Sequence, residues 1–447
     1  MKLLIIHGYS DSNKGDLAIV VASIHALRKL YPDAEIALQT VFPRDDPDFV
    51  FHHRFVTQLG ISVEPMGIPS PYSDANQHSF TRNLSAMWAL ARNTFIQKLL
   101  FAWPSMRHVF PAQARSLDQL RSADMVFLKG GQYIYNDQGG LRGLLYLWRI
   151  LYPIKVAHQL GKPVVMLGQS VGPIIGDRAT KMTANALATC QRLMVREDLS
   201  AKLMETMGLT QITVLAPDMA FLTVPRKPAL PSAEIARLEQ GQWLGVTVVN
   251  WNFPGNADPR AQRAIYEQTL VAVCERAFHT LGVGIALFPQ VTVKHHGESD
   301  VDMIMRVEAV LRQRGVEVFS IADDLWPDEF SYLYGRCRAL LGTRLHSCIL
   351  AACAGCPVVA IRYQGYKTEG VMKGLGLEEF VHDINNVNED ALFESVRQAL
   401  LQHDSISLRV QGRVQVYCTE LMTITKTEID QACASPQHSH KYSIDGT

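Results

Sequence analysis

Two short stretches in the last third of the chain gather side chains suited to holding an anion and moving a proton. In GTRLHS (342–347) an arginine and a histidine stand two residues apart, between the apolar run ALL and the apolar, helix-forming run CILAACA. That order predicts Arg344 and His346 at the carboxyl end of a parallel strand, where the first turn of the next helix presents unpaired backbone N–H groups. A guanidinium offers a fixed fork to a carboxylate or phosphate, and an imidazole exchanges a proton near neutral pH. RYQGYK (362–367) follows the next apolar run, CPVVAI, and brings Lys367 to the same sheet edge. Much earlier, Arg196 in VRED closes another apolar run. Together these side chains predict a local positive pocket, on condition that distant parts of the chain converge. Singly, each has a plainer reading: Arg344 and His346 as caps or surface groups, Lys367 as a surface lysine, Arg196 as the partner of Glu197 or Asp198.

Three turn-like motifs lie in the first half. In NKGD (Asn13 to Asp16) Gly15 leaves room for backbone amides to approach a ligand, while Asp16 reads either as a helix N-cap or as a base or acceptor-hydroxyl ligand. KGGQ (129–132) carries Gly130 and Gly131, and GQSVGP carries Gln169 and Ser170 in what reads as a tight active-site turn. None spells the glycine pattern of a dinucleotide fold or a Walker loop. His295, His296, Glu298 and Asp300 suggest a metal at first sight, but adjacent histidines point apart on most backbones, and no metal site is expected. Cys353 and Cys356 have no second pair to complete a zinc site and read as small buried thiols.

The elements that must position these residues alternate. KLLIIH (2–7), AEIALQTVF, MVFLKGG (125–131), KPVVMLGQSVGP (162–173) and RLMVRED (192–198) read as strands, and a helix opens at Asp16. After a proline-rich stretch the pattern restarts with WLGVTVVNW, GVGIALFPQ, VEVFSI and the pair around GTRLHS, separated by helices near 260–280 and 300–314. Alternation of this kind predicts parallel sheets with function at the strands' carboxyl ends. The expectation is α/β: two doubly wound, Rossmann-like domains facing a cleft. Their bounds are 1–225 and 241–385, with a linker at 226–240, a helical segment at 386–432 and a disordered tail at 433–447.

With 447 residues, a net charge of zero and 19% charged residues, the chain suits a globular protein with no field for bulk nucleic-acid binding. The opening MKLLIIHGY reads as a strand rather than a signal, and no apolar run is long enough to span a bilayer, so a cytoplasmic location is expected. One segment stands apart: from Ala75 to Leu117 there is no acidic residue, and cations interleave with Trp88, Phe95, Phe101 and Trp103. It reads either as an interfacial helix touching the cytoplasmic face of the membrane or as an inserted helix pair packed on the first domain.

With these residues assembled, the chain resembles the polysaccharide pyruvyl transferase family, nearer its colanic-acid type. The resemblance rests on SNKGDLAI, KGG at 129–131, GQSVGP, VRED with Ser200, APDMAF (216–221) and GTRLHSCILAACAGCPVVAIRY with Lys367. It implies a GT-B-like fold, phosphoenolpyruvate as donor, no cofactor, and as acceptor a sugar of a lipid-linked or nucleotide-linked glycan precursor. Carried over by position, Arg196, Arg344, His346 and Lys367 would bind the donor, with His346 as acid and Asp16 as candidate base. Asn13, Gly15, Asp16, Gly130, Gly131, Gln169 and Ser170 would face the acceptor. Two departures stand out. Asn250 and Trp251 replace an arginine common in relatives, and three residues rather than two separate Tyr363 from Lys367. Rival readings are a nucleotide-sugar glycosyltransferase of the same architecture and a non-enzymatic protein that binds glycans or a membrane assembly.

Overall fold

The computed structural model describes residues 1–70, 80–137, 139–293, 299–363 and 367–434. His295, His296 and Glu298, residues 364–366 and the tail from 435 lie outside the described residues. Two sheets organise the rest, and every neighbouring strand pair in them is parallel. The first holds β1 (Lys2–Gly8), β2 (Glu35–Thr40), β3 (Ser62–Pro65), β4 (Met125–Leu128), β5 (Gly131–Asn136), β6 (Val164–Ile174), β7 (Arg192–Val195) and β8 (Thr213–Leu215). Its order is β3-β2-β1-β4-β6-β7-β8, with β5 joined to the outer part of β6. The second holds β9 (Trp243–Thr247), β10 (Gly284–Leu287), β11 (Val318–Ser320), β12 (Ala339–Gly342), β13 (Val358–Arg362) and β14 (Val381–Asp383), ordered β11-β10-β9-β12-β13-β14. In both sheets the direction of winding reverses beside the first strand, between β1 and β4 and between β9 and β12. Such reversals leave crevices at the carboxyl ends.

Burial explains why these runs become strands. Along β1, Leu3 and Ile5 belong to one apolar cluster and Leu4 and Ile6 to the other, because successive side chains leave opposite faces and helices cover both. Three expectations need correction. GQSVGP is not a turn: β6 runs through it to Ile174, kinked at Gly168, whose φ is +52°. After Lys129 and Gly130 the chain re-enters the sheet as β5, an unforeseen strand. Of the expected linker, Ala233–Gln240 is a helix that buries Ile235 and Leu238.

The halves meet at the start of the helix Lys14–Leu30. Asn13, not Asp16, is its cap: the Asn13 side-chain oxygen accepts from the N–H groups of Gly15 and Asp16 at 3.1 and 3.2 Å. The backbone there is stitched to the other half, with Lys14 N–H donating to the Gln290 carbonyl at 3.0 Å and Thr292 N–H to the Ser12 carbonyl at 2.9 Å. Lys14 is 1% exposed; its ammonium lies 4.3 Å from the Phe55 ring centre and 2.8 Å from Asp324 of the second half. Arg54 meets the same carboxylate at 2.5 and 2.6 Å. A second connection closes the fold: the long helix His403–Ala434 leaves the second half and returns to the first, where Glu428 pairs with Arg192.

Removing Asp324 strands a buried ammonium. Asp324→Ala should cost about 2 kcal/mol, a figure discounted because the carboxylate is half exposed and the lysine can shed its proton. Adding Lys14→Met should restore more than half of that loss in denaturant unfolding.

Candidate functional site

The carboxyl ends of β1, β4, β6 and β7 face those of β12 and β13, and the polar residues in the loops beyond them form one cluster. Arg344 is the N-cap residue of the helix Leu345–Cys353, so its side chain leaves the strand end while His346 occupies the first helical turn. The Arg344 guanidinium grips Asp300 with two donors, at 2.5 and 3.3 Å. Asp300 is fully buried and also accepts from the Val291 N–H at 2.9 Å. This aspartate, first weighed as a metal ligand, is the arginine's anchor instead. Among the described residues no group of histidine, cysteine and carboxylate side chains is arranged to hold a metal.

His346 sits at the domain junction. Its Nε2 is buried and lies 3.5 Å from the carboxylate of Asp218, making no hydrogen bond among the described residues. Its other side presses on Gly15, where a Cβ would fall 2.5 Å from Nδ1 and 2.7 Å from Cγ. Only glycine permits that approach. Asp218 also pairs with Arg196, and the Arg196 Nε donates to the Ser170 hydroxyl at 2.6 Å. Ser170 in turn donates to Glu197 at 2.8 Å, and Glu197 stands 3.6 Å from Arg196. Burial alone would raise the Asp218 carboxyl, but the Arg196 charge and the neighbouring imidazole hold it well below the usual carboxylate range.

Lys367 reaches across the gap, its ammonium 2.9 Å from the Gln132 side-chain oxygen. Burial, with Arg196 adding repulsion, pushes this lysine down to about 7. Behind Gln132, the buried Lys129 pairs with Asp16. Gly131, at φ +117°, lies beside both, and a Cβ on it would sit 3.8 Å from the Asp16 carboxylate. Gly130 and Gln169 serve the sheet: a Cβ at Gly130 would come within 2.6 Å of the Leu167 carbonyl, and the Gln169 amide donates to Ser170 at 3.2 Å.

The structure thus draws Arg196, Arg344, His346, Lys367, Asp16, Gly15, Gly131 and Ser170 into one region. The cations of the expected pocket are partly balanced: Arg344 faces Asp300 and Arg196 faces Asp218, and nearby Lys129 faces Asp16. Three partners escaped the sequence. Asp218 lies in a quoted motif, APDMAF, but carried no role; Asp300 was hidden among metal candidates; Lys129 was masked by its two glycines. An aspartate at a strand end between apolar residues was the available signal, since it must meet a cation if buried.

Gly15→Ala should force the imidazole out of its place at a cost of about 1–3 kcal/mol, with the fold retained. The check is the His346 ring resonance in NMR, which should move, while thermal unfolding stays cooperative.

Residues 13–365 match the family model described as polysaccharide pyruvyl transferase. The amylovoran biosynthesis protein AmsJ of Erwinia amylovora is 24% identical over 431 residues, 93% of this chain and 96% of that one. Among solved structures, Anabaena HepE in complex with UDP and glucose aligns with a TM-score of 0.55 at 13% identity, over 98% of this chain and 100% of that one. The UDP-GlcNAc 2-epimerase of Neisseria meningitidis bound to UDP-GlcNAc aligns at 0.55 and 12% identity, over 96% and 100%. At such identity these structures speak for the fold alone, which is GT-B-like. With a family match that runs from the cap of the first helix to Gly365, the chain belongs to the polysaccharide pyruvyl transferase family.

Proposed function

We propose that the chain moves the pyruvyl group of phosphoenolpyruvate onto two hydroxyls of one sugar in an exopolysaccharide or cell-surface glycan precursor, forming a cyclic ketal and releasing phosphate. One observation carries this reading: a histidine backed by a buried carboxylate stands among Arg196, Arg344 and Lys367 where the two halves meet. Family membership and the likeness to AmsJ support a role in polysaccharide biosynthesis.

The donor carries a carboxylate and a phosphate, and cations must meet both. Arg344 and Arg196 already hold carboxylates, which fix their forks in position. Lys367 supplies the missing charge by taking up a proton as the donor enters. In the reaction His346 gives a proton to the methylene carbon, leaving an oxocarbenium-like centre at carbon two. One sugar hydroxyl adds there and loses its proton. The bond from carbon two to the phosphate oxygen then breaks, and a second hydroxyl closes the ring. Of the two hydroxyl protons, one balances that given to carbon and the other leaves with phosphate. Asp16, paired with Lys129, would be the group that takes up a hydroxyl proton.

A nucleotide-sugar glycosyltransferase is the rival that shares this architecture. Glu369, the carboxylate after β13 that such an enzyme would turn to a ribose, instead faces Arg362 at 2.9 Å. The deciding measurement is mass spectrometry of candidate precursors incubated with phosphoenolpyruvate or with UDP-sugars. Gain of a pyruvate ketal with phosphate release supports the proposal; glycosyl transfer in its place overturns it.

His346→Ala should lower turnover on the order of 100-fold or more, and retention of most turnover removes it as the acid. A second expectation concerns pH. Lys367 is half deprotonated near pH 7 in the free protein, and a bound anion raises it again. Donor affinity should therefore be full below about pH 7 and fall by up to about tenfold per pH unit above it. Calorimetry from pH 6 to 9, as roughly the span of that titration, should give a slope that Lys367→Arg flattens; an unchanged slope in the variant assigns the proton elsewhere.

A further inference from the structure

The helix Phe80–Ala102 turns its apolar side the wrong way for a soluble domain. Its inward face is Ala86, Asn93, Ile96, Gln97 and Leu100, all buried. Its outward face carries the larger side chains: Met87 is 48% exposed, Trp88 70%, Phe95 66% and Phe101 39%, and Trp103 and Val109 beyond its end are each 61% exposed. Positions 88 and 95 are seven apart, so Trp88 and Phe95 stand one above the other. Arg92 and Lys98 fall on the same side, exposed and without an ion pair among the described residues. Arg107 and Arg115 follow, each half exposed and, among the described residues, paired with Asp118 and Glu64. No acidic residue occurs between Ala75 and Leu117.

We infer that this face is a docking surface for an anionic lipid bilayer, with the helix lying in the interface plane. A protein-binding patch gathers its apolar residues at a centre and its charges at a rim. Here aromatic rings and cations alternate along one helix face, as Trp88, Arg92, Phe95 and Lys98, which suits a layer where aromatic rings lie at headgroup depth and cations meet phosphates. The charge is of one sign over more than forty consecutive residues of a chain whose total is zero, so the attraction is local to this face. The inference goes beyond the proposed reaction and does not depend on it. A first domain seated on the bilayer would meet a lipid-linked sugar where it emerges.

The test is co-sedimentation of the full chain with vesicles of phosphatidylcholine alone or mixed with phosphatidylglycerol, at low and high salt. Binding to the mixed vesicles is expected, with little to phosphatidylcholine, a fall as salt rises, and a blue shift of tryptophan emission. A triple variant, Trp88→Ser, Phe95→Ser and Trp103→Ser, should bind roughly tenfold or more weakly. Arg92→Glu with Lys98→Glu should weaken binding by a comparable factor. Each variant should melt like the parent, since the replaced side chains are already in water. Absence of binding to mixed vesicles overturns the inference. So does self-association in sedimentation equilibrium that the triple variant abolishes, because the face would then belong to a second copy of the chain.

Discussion

An aspartate sealed from water at the seam between two domains dictates much of what surrounds it. Asp218 is 1% exposed, and a bare carboxylate in such a place would take up a proton or unfold the loop that carries it. Arg196, from the end of the neighbouring strand, keeps it ionised, and that arginine is itself held by Ser170 and Glu197. The histidine of the opposite half then finds a fixed negative charge beside Nε2. Lys367 feels the cost of the same arrangement, since repulsion from Arg196 adds to burial in driving off its proton. A chain of charges running through both domains thus bears on the charge of Lys367 at its end.

The sheet topology explains why such a chain exists at all. Each half has a winding reversal that leaves polar loop residues uncovered at the carboxyl ends of adjacent strands. NKGD follows β1 and Lys129 follows β4 at the first reversal, while Arg344 follows β12 at the second. Packing the halves with these reversals face to face merges two crevices into one. Gly15 is where the merger is tightest, a helix start laid directly against an imidazole.

The alternation of apolar runs and helical stretches made the two parallel sheets legible, because strands buried on both faces are continuous apolar segments. Short strands such as β3, β8 and β14 were not, since three or four residues, partly exposed, leave no period to read. The site was legible in its basic members and obscure in its acidic ones. An arginine at a strand end advertises an anion, whereas the pairing of Arg344 with Asp300, or of Asp16 with Lys129, joins residues 44 and 113 positions apart. Charge balance is a property of the folded cluster, and only the converged loops reveal it. Asp16 illustrates the point: a plausible cap by type, it was displaced by Asn13, three residues earlier.

The return of the last long helix to the first half has a mechanical consequence. The chain crosses between the halves twice, once near residues 223–232 and again along His403–Ala434, where Glu428 reaches Arg192. Two bodies held by a single tether can swivel freely; held by two separate tethers, they can only rock about the line that joins the attachment points. Any opening of the gap would then have to pivot about both attachment points instead of swivelling freely.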